Sequence, residues 1–405
     1  MPKLGTTTSP QRKGQRMPLG DTLTEHSILA EKAKALVPLL DAEAEFADTE
    51  GELSPTAVAA LHRDGLFKIW VPEKLGGSEL DPVHSLEVLE NLSYADASAG
   101  WVTMAANLSI GTAGAYLSDH AVAELWGDGR QPVIAGQGTR PGTATMADGG
   151  LSLSGSWSFG SGLKHSSHVH SLGIVQETGE PRIFVTPIDA VNLIDNWDVM
   201  GLRGTGSIDY TMDNVFVPDG WSHFAVTTVP ERGGSLYGLG IIGFAVTCHS
   251  GWAMGVGRRL LDELAGLVHG KAGRPGAQAD SSAFQLGYAE AEAKFRAARA
   301  LVVESFTDLS KSLYAGDGIS VRQHTLVRLA LAHITKTLHE IAAFVYLSGG
   351  TTALRHGTIQ RFYRDVHAGT QHVTSGPAIW QTCGRELMGV AEGKQWQFLD
   401  LVDPH

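Results

Sequence analysis

The chain has 405 residues, 43% of them hydrophobic and 18% charged, which is enough apolar material for one large core or for two to three smaller ones. Its formal net charge of −12 argues against non-specific nucleic-acid binding, which needs a basic surface. The two cysteines, Cys248 and Cys383, exclude a disulfide framework and a cysteine metal cluster and favour a reducing cytoplasm, and no apolar run approaches the ~18 residues of a membrane span.

The first part of the chain is predicted to be helical. Residues 1–20 form a basic tail rich in Thr, Gly and Pro that lacks the apolar segment of a secretory signal. An N-terminal helical domain follows over residues 21–130. Ser54-Pro55 and Asp81-Pro82 each place a capping side chain before a proline, an arrangement that favours a helix start. The small apolar stretch Ala97–Tyr116 predicts a buried helix.

Short strands are predicted in a central β domain over residues 131–228. Runs rich in Val, Ile, Thr and Ser alternate there with Gly, Asp and Pro. Asp148-Gly149-Gly150 has the composition of a hairpin turn between two of these runs. The spacing of the runs indicates a small sandwich or barrel. The strand candidates are Thr143–Ala147, Leu151–Ser154, His168–Val175, Arg182–Thr186 and Asp209–Val217.

Long amphipathic segments predict a C-terminal helical bundle over residues 229–405. Apolar residues in Trp252–Val268 and in Val321–Leu347 recur three and four positions apart, as on one face of a helix. Phe284–Leu313 contains no proline, and Gly349-Gly350 suits a helix C-cap. The chain is therefore predicted to be an α+β protein with a helical domain, a β-barrel or sandwich, and a four-helix bundle.

Two other patterns suggest binding sites, but neither has the context that such a site requires. Gly238–Gly243 matches the G-x-G-x-x-G dinucleotide pattern, yet it follows a polar, glycine-rich segment and not a strand. His168 and His170 would share one face of a strand, as zinc ligands do, but no Cys, Asp or Glu nearby completes a shell. We therefore predict neither a nicotinamide site nor a metal site.

The segment Gln360–Glu386 carries the most informative pattern. Arg361, Arg364 and Asp365 are spaced to lie on one helical face, because positions three and four apart are neighbours there. His372 follows in a stretch rich in Gly, Thr and Ser, of the kind that leaves a helix and runs over a ligand. This arrangement resembles the C-terminal RD segment of the acyl-CoA dehydrogenase superfamily.

One departure from that superfamily separates two chemistries. The place of the dehydrogenases' catalytic glutamate falls on Val373, with His372 just before it, and no acidic residue lies from Val366 to Arg385. Proton abstraction beside a thioester carbonyl needs a carboxylate base within hydrogen-bond reach. A histidine here resembles instead the group D flavin-dependent monooxygenases, which are the oxygenase halves of two-component systems with the dehydrogenase fold.

A second resemblance lies in Gly155–Gly162. Its sequence, GSWSFGSG, is similar to the G-x-W-x-F-S-S-G run of the group D monooxygenases, which lies against the flavin ring. A tryptophan beside small hydroxyl and glycine residues suits the flat apolar face and the polar edge of an isoalloxazine. The resemblance implies that Trp157, Phe159, Ser161 and Gly162 bind the cofactor, and that Ser161 has a catalytic role as the hydrogen-bond partner of flavin N5.

A third resemblance lies in Asp198–Ser207, which is similar to the G-L-R-G-T-G-S segment of the same oxygenases. The strand after it ends in Val215–Pro218, a match to their VFVP. Glycines at this density allow a loop to fold tightly and to approach a ligand or a neighbouring subunit. Arg203 is expected either to orient this loop or to meet the cofactor.

Two further segments resemble the parts of the superfamily that hold the flavin phosphates. Gly349-Gly350-Thr351 corresponds to a turn that presents backbone amides to the FAD of an adjacent subunit. Lys271–Arg274, in the loop Gly270–Ser282, resembles with Gln285 the segment in which an arginine, here Arg274, approaches the pyrophosphate.

The resemblance as a whole implies a monooxygenase that receives reduced FAD or FMN from a separate NAD(P)H-flavin reductase. Reduced flavin and O2 then give a C4a-hydroperoxide, which hydroxylates an aromatic or heteroaromatic small molecule. His372 is expected either to act as a general base or to hydrogen-bond the peroxide, since histidine titrates near neutral pH. Trp101, Phe159 and Trp380 are candidate walls of the substrate site, and His165 is expected near the substrate. The superfamily also implies a homotetramer.

Three alternatives remain open at this point. An acyl-CoA dehydrogenase or oxidase would need a relocated base, for which Glu386 is the candidate. An N-oxygenase that acts on an amine or amino sugar would share the fold. A catalytically silent flavin-binding or scaffold protein would also retain the motifs.

Overall fold

The computed structural model describes residues 28–404, so the tail predicted over residues 1–20 lies outside the described residues. Both predicted helix starts are confirmed, because Ser54 accepts a hydrogen bond from the Ala57 amide and Asp81 accepts two from the following turn. The N-terminal helices are α1 (residues 28–35), α2 (Val37–Glu50), α3 (Pro55–Arg63), α4 (Pro82–Ala95), α5 (Ala97–Tyr116) and α6 (Asp119–Trp126).

Seven strands make up the central sheet: β1 (Ile134–Ala147), β2 (Gly150–Gly160), β3 (His168–Val175), β4 (Pro181–Pro187), β5 (Asn192–Ile194), β6 (Ile208–Pro218) and β7 (Ser222–Phe224). Their order is β5-β6-β2-β1-β3-β4-β7, and every neighbouring pair is antiparallel except β1 and β3. The predicted hairpin joins β1 to β2 through Gly149, whose φ of 76° favours glycine. The predicted sandwich or barrel is thus one mixed sheet with β5 and β7 at its edges.

The rest of the described chain is mainly helical. It contains α7 (Gly240–His269), α8 (Ser282–Ala315), α9 (Val321–Gly349), α10 (Thr358–Gly369), α11 (Pro377–Leu387) and a hairpin of β8 (Gln395–Gln397) and β9 (Asp400–Val402). The long helices predicted from Phe284 and from Val321 are confirmed as α8 and α9. A reciprocal capping box of Ser320 and Gln323 starts α9.

Helix α7 is the central apolar helix of the molecule. By length and composition, Ser235–His269 would suit a membrane span, but 83% of its most apolar window is buried by the rest of the protein. Helices α4, α5 and α9 pack against it. A Cβ at Gly255 would collide with the Glu90 carbonyl of α4, so glycine is what lets these two helices approach.

The end of α10 is brought against α5 and α7 by a second close approach. A Cβ at Gly369, the last residue of α10, would collide with the Trp252 ring of α7 and lie 3.0 Å from the Trp101 ring of α5. The glycine therefore allows the segment that contains His372 to emerge beside both tryptophans.

Candidate active site

Four aromatic side chains from this meeting point form a ring cluster: Trp101, His249, Trp252 and His372. The centroid of Trp101 lies 4.9 Å from that of His249, 5.2 Å from that of Trp252 and 6.0 Å from that of His372. The two imidazoles, named here the imidazole pair, have centroids 4.0 Å apart at an interplanar angle of 31°. The predicted catalytic histidine is therefore a neighbour of Trp101, one of the predicted substrate residues.

A hydroxyl chain connects Trp101 to the loop between β5 and β6. The Trp101 Nε1–H donates to Ser161 Oγ at 3.1 Å, and Ser161 Oγ lies 2.7 Å from Ser207 Oγ. Ser207 Oγ lies 2.7 Å from Thr205 Oγ1, which donates its hydrogen to the Leu202 carbonyl at 2.7 Å. This hydroxyl chain joins Ser161, the predicted flavin partner, to the glycine-rich loop that was predicted to fold tightly.

The Leu202 end of the hydroxyl chain fixes its direction, because each hydroxyl has one hydrogen. Because the Thr205 hydroxyl donates its one hydrogen to the Leu202 carbonyl, Ser207 must donate to Thr205. Ser161 must then donate to Ser207. Ser161 consequently presents an accepting lone pair to a ligand, and not a donor.

A loop clamp holds this loop against α10; it consists of Asp48, Met200, Leu202, Arg364 and Asp365. Asp365 accepts a hydrogen bond from the Leu202 amide at 2.6 Å, and Arg364 donates to the Met200 carbonyl at 2.8 Å. Arg364 also pairs with both carboxylate oxygens of Asp48, at 3.0 and 2.6 Å. The RD segment therefore positions the hydroxyl chain, because it bonds the backbone from which that chain starts.

Arg203 orients the same loop, which was one of the two roles predicted for it. Its Nε donates to the Asp48 carbonyl at 2.7 Å, and one terminal nitrogen donates to the Val199 carbonyl at 3.2 Å. These bonds commit the guanidinium to backbone oxygens of α2 and of the loop.

Asp365 is 1% exposed, and its environment changes its acidity. Burial and then the nearby Asp96 raise the pKa of Asp365 to about 7, against the opposing effects of the Leu202 amide, Arg364 and Arg361. Its Oδ2 has no hydrogen-bond partner within residues 28–404. Burial also raises the pKa of Asp96. Near neutral pH, Asp365 is therefore a partly protonated acid.

His372 is held in one tautomer by the short turn that follows it. Its Nδ1 accepts the Thr374 amide N–H at 3.4 Å and lies 2.8 Å from Thr374 Oγ1. An accepting Nδ1 places the single hydrogen of a neutral imidazole on Nε2. Burial lowers the pKa of His372 to about 4, so the ring is neutral at pH 7. His372 therefore has an Nε2–H donor, which has no protein partner in the described part of the chain.

His249 was not predicted from the sequence. It lies on α7 and is 8% exposed, and neither of its ring nitrogens has a hydrogen-bond partner among residues 28–404. Burial and then His372 hold the pKa of His249 well below its ordinary value. The available signal was a lone histidine in an apolar helix, a pattern that is equally typical of core packing.

The predicted flavin turn has a buried part that cannot contact a ligand. Trp157 has no exposed surface. Its ring stacks on Tyr210 at 5.3 Å, and its Nε1–H donates to the Leu172 carbonyl at 3.0 Å. This placement contradicts the expectation that Trp157 covers a flavin, because the alternation of side chains along β2 turns it into the core of the sheet domain.

The other residues of that turn are placed where a ligand can reach them. Phe159 is 66% exposed and has a φ of 68°, a backbone conformation that is strained for a phenylalanine and common at functional sites. Gly162 has a φ of 80° and donates its amide to the Thr205 carbonyl, beside the hydroxyl chain. Contacts of Phe159, Ser161 and Gly162 with a flavin stay predictions.

The two predicted phosphate segments lie next to each other at one end of the bundle. Lys271 Nζ donates to Thr352 Oγ1 at 3.2 Å, which joins the loop of Arg274 to the turn Gly349-Gly350-Thr351. Arg274, like most of that turn, is exposed, and Gln285 of α8 donates to the Ala279 carbonyl of the loop that contains Arg274. Their contact with flavin phosphates also stays a prediction.

Two predicted substrate residues are not part of the ring cluster. Trp380 is 37% exposed on α11, where its ring packs at 6.4 Å from that of His333. His165 ends the turn Leu163–His165; burial lowers its pKa, and Glu52 and Lys164 are the charges that act on it. Within residues 28–404, no ring contact joins either side chain to the cluster, so a direct substrate role for them gains no support.

The polar groups of the site fit a reduced flavin and give no support for a metal. Among residues 28–404, no group of three or more His, Cys, Asp or Glu side chains could hold a metal ion. The N5 of a reduced flavin carries a hydrogen, and the oriented Ser161 hydroxyl offers the lone pair that such a hydrogen requires. The neighbouring aromatic surface and neutral imidazoles suit flat organic rings.

Family models match two parts of the chain. The model described as "Acyl-CoA dehydrogenase, N-terminal domain" matches residues 24–124, and "Acyl-CoA dehydrogenase, C-terminal domain" matches residues 247–376. The predicted superfamily and fold class are thereby confirmed.

Curated relatives and solved structures agree with these matches. The indole-3-acetate monooxygenase of Pseudomonas putida is 30% identical over 84% of this chain and 89% of its own length. The flavin-dependent monooxygenase oxygenase subunit HsaA of Rhodococcus jostii is 26% identical over 86% of this chain and 94% of its own. The crystal structure of 3-HSA hydroxylase from Rhodococcus sp. RHA1 superposes with a TM-score of 0.85 at 26% identity, over 90% of this chain and 98% of that one.

These similarities extend over most of this chain and most of each relative. The chain therefore belongs to the acyl-CoA dehydrogenase family and, within it, to the flavin-dependent monooxygenases.

Proposed function

We propose that this chain is the oxygenase component of a two-component aromatic hydroxylase. It takes reduced FAD or FMN from a separate NAD(P)H-flavin reductase and hydroxylates an aromatic or heteroaromatic small molecule. When bound, reduced flavin would supply the two electrons that activate O2, of which one oxygen atom enters the product and the other leaves as water. The observation that carries the proposal is the hydrogen bond between Trp101 and Ser161 beside His372, which joins a flavin partner, an aromatic wall and a donor in one place.

Ser161 is proposed to accept a hydrogen bond from the N5–H of the reduced cofactor. Support comes from the direction of the hydroxyl chain, which commits the Ser161 hydrogen to Ser207. A fixed acceptor recognises the reduced flavin over the oxidised one, whose N5 lacks a hydrogen. This preference suits an enzyme that uses reduced flavin as a co-substrate.

His372 is proposed to act as a hydrogen-bond donor through Nε2–H, and not as a general base. A base must take up a proton on a free lone pair, but the only lone pair of this tautomer, on Nδ1, already accepts from Thr374. The pKa of about 4 that burial gives His372 also disfavours its charged form. Of the two roles expected from the sequence, the geometry favours the donor.

A dehydrogenase mechanism has no base in this arrangement. Glu386, the candidate for a relocated base, accepts hydrogen bonds from Arg322 Nε at 2.9 Å to each oxygen. No contact joins Glu386 to the ring cluster among residues 28–404. The name of the P. putida relative, which refers to an indole compound, likewise favours an aromatic substrate over an amine or amino sugar.

The proposed assembly is a cytoplasmic homotetramer in which Arg274, Gln285 and Gly349-Gly350-Thr351 meet the phosphates of a neighbouring subunit's flavin. The exposure of most of these residues and their joint position at one end of the bundle support this arrangement. Guanidinium and backbone N–H groups are suitable phosphate partners.

Stopped-flow mixing tests the proposal. Protein pre-mixed with reduced flavin is mixed with oxygenated buffer, with and without aromatic compounds, and absorbance, product and hydrogen peroxide are followed. The proposal expects a long-lived absorbance distinct from that of oxidised flavin, and product in step with flavin oxidation. Immediate return to oxidised flavin with an equivalent of hydrogen peroxide contradicts it.

A further inference from the structure

His249 differs from nearby histidines in what its ring nitrogens contact. The Nδ1 of His372 is bonded to Thr374, and the Nε2 of His339 lies 2.6 Å from Thr370 Oγ1. Both nitrogens of His249 lack a partner within residues 28–404, although only 8% of the residue is exposed. Unlike Nδ1 of His324, the nitrogens of His249 are not fully shielded from solvent, so a ligand can reach them.

The ring of His249 lies in the ring cluster and not in a separate part of the core. Its centroid is 4.0 Å from that of His372 and 4.9 Å from that of Trp101. Trp101 in turn donates to Ser161, the proposed flavin partner. A ligand that is hydrogen-bonded to His249 would therefore lie close to the proposed position of the flavin, from which the oxygen atom is transferred.

The charge of this region indicates what kind of group such a ligand presents. The two buried imidazoles, whose centroids are 4.0 Å apart, are not both positively charged, because burial and their mutual repulsion oppose protonation of both rings. Of the α10 arginines, Arg364 is hydrogen-bonded to Asp48, and Arg361 lies 3.7 Å from Asp96, although its Nε has no hydrogen-bond partner within residues 28–404. Each neutral imidazole offers one N–H and one lone pair, which match a hydroxyl or a ring N–H.

We propose that His249 binds the substrate, with one ring nitrogen hydrogen-bonded to an uncharged hydroxyl or ring N–H group of an aromatic molecule. This inference rests on the proposed function and narrows its substrate class to hydroxyarenes and N–H heteroarenes. His249 thereby discriminates these compounds from hydrocarbons of the same shape.

Matched ligand pairs test this role by binding alone. The probes are indole against indene and phenol against toluene, since each pair differs mainly in one hydrogen-bonding group. Dissociation constants are measured by equilibrium dialysis under anaerobic conditions, with the full-length protein in complex with reduced flavin. The wild-type protein is expected to favour the polar member of at least one pair by about fivefold, the effect of one hydrogen bond.

Three variants locate the source of that preference. His249→Phe keeps a flat ring but removes both nitrogens, and it is expected to abolish the preference while the dissociation constant of reduced flavin stays within about twofold. His249→Gln retains a donor and an acceptor and is expected to keep part of the preference. The control is His324→Phe on α9, where a half-buried imidazole has a shielded, unpartnered Nδ1 outside the ring cluster; this variant should keep the full preference.

Thermal unfolding gives a second readout. Because the His249 ring has no hydrogen bond to lose within residues 28–404, the ligand-free His249→Phe variant should unfold within a few degrees of the wild-type temperature. A variant that fails to fold would contradict this expectation, and His249→Gln would then carry the binding test.

The outcomes separate this inference from the proposed function. It is overturned if the wild-type protein favours the polar member of neither pair, or if His249→Phe retains the preference. It is also overturned if that variant loses flavin and aromatic binding equally. Failure of the wild-type protein to bind reduced flavin would overturn the proposed function itself.

Discussion

The loop clamp and the imidazole pair are both connected to Trp101 and Ser161, but they satisfy their polar groups in different ways. In the loop clamp, the charged side chains bond to each other and to the backbone. The exception, Asp365 Oδ2, belongs to an acid whose raised pKa gives it a proton near neutral pH. In the imidazole pair, three of the four ring nitrogens lack a partner within residues 28–404.

This difference indicates which groups of the site hold the fold in place and which are available to a ligand. Groups that are bonded inside the protein fix positions, and their loss should reduce stability. Groups that are buried and left unbonded are available to a ligand, and their loss should reduce binding or turnover while the fold remains. Each region can be altered separately to test this division.

The largest effect is expected for His372→Ala, which removes a donor from the imidazole pair. Product formation should fall about 100-fold or more, because one well-placed donor in a buried site contributes that much. The dissociation constant of reduced flavin should change by less than about threefold. Both are measured, by product analysis and by anaerobic titration, and an equal loss of turnover and flavin binding would refute the proposed role.

The next effect is expected in the loop clamp, for Arg364→Leu. This change leaves Asp48 without its bidentate partner and frees the Met200 carbonyl, so stability should fall by about 2 kcal/mol. Thermal or denaturant unfolding measures the change. Arg296→Leu, which removes an exposed ion pair with Glu292 on α8, is the control and should cost less than about 0.5 kcal/mol. Equal losses of stability in the two variants would contradict the structural role assigned to the loop clamp.

A smaller effect is expected where the two regions meet, in the hydroxyl chain. Ser207→Ala frees the hydrogen of Ser161, whose hydroxyl can then rotate away from its accepting orientation. Hydrogen peroxide released per reduced flavin should rise about five- to tenfold, since one hydrogen bond contributes about 1 kcal/mol. Ser166→Ala removes a hydroxyl that, among residues 28–404, bonds only to the Leu163 carbonyl, and it should leave peroxide release unchanged. A rise in both variants would argue against a directed chain.

The smallest effect is a pH dependence of stability that Asp365 imposes. Because its native pKa of about 7 lies above its ordinary value of 3.8, the folded protein holds a proton that the unfolded chain releases between these values. This contribution is complete below pH 4 and is lost as the pH rises through 7, with a slope of at most ~1.4 kcal/mol per pH unit.

Asp365→Asn removes that titration and keeps an oxygen for the Leu202 amide. Between pH 5 and 8, the unfolding midpoint of the wild-type protein should therefore decline relative to that of the variant. Parallel curves for the two proteins would show that Asp365 has no raised pKa.

Much of this molecule follows from local sequence. Ser54, Asp81 and Ser320 start helices because their side chains accept amide hydrogens of the first turn, whatever the rest of the chain does. The spacing of apolar residues likewise predicted α9 and the C-terminal part of α7, and the lack of proline from Phe284 to Leu313 predicted α8. The motifs around Ser161 and His372 carried enough family information to predict the flavin chemistry.

Other features depend on contacts between distant segments, which local patterns do not encode. Trp157 and Phe159 are two residues apart, yet one is buried in the sheet domain and the other is exposed on a strained turn. Trp380 and Trp101 are the same residue type, but only Trp101 lies in the ring cluster. Burial of each side chain was decided by which elements pack around it.

The sequence by itself determined the order of the elements, the helix starts and the family to which the chain belongs, because these depend on neighbours along the chain. Only the tertiary structure decided that His249 faces His372, that Asp365 bonds a loop more than 160 positions away, and that Ser161 accepts a hydrogen bond from Trp101. Hydrogen-bond direction and burial are set by partners in space, and packing of α5, α7 and α10 brought those partners together.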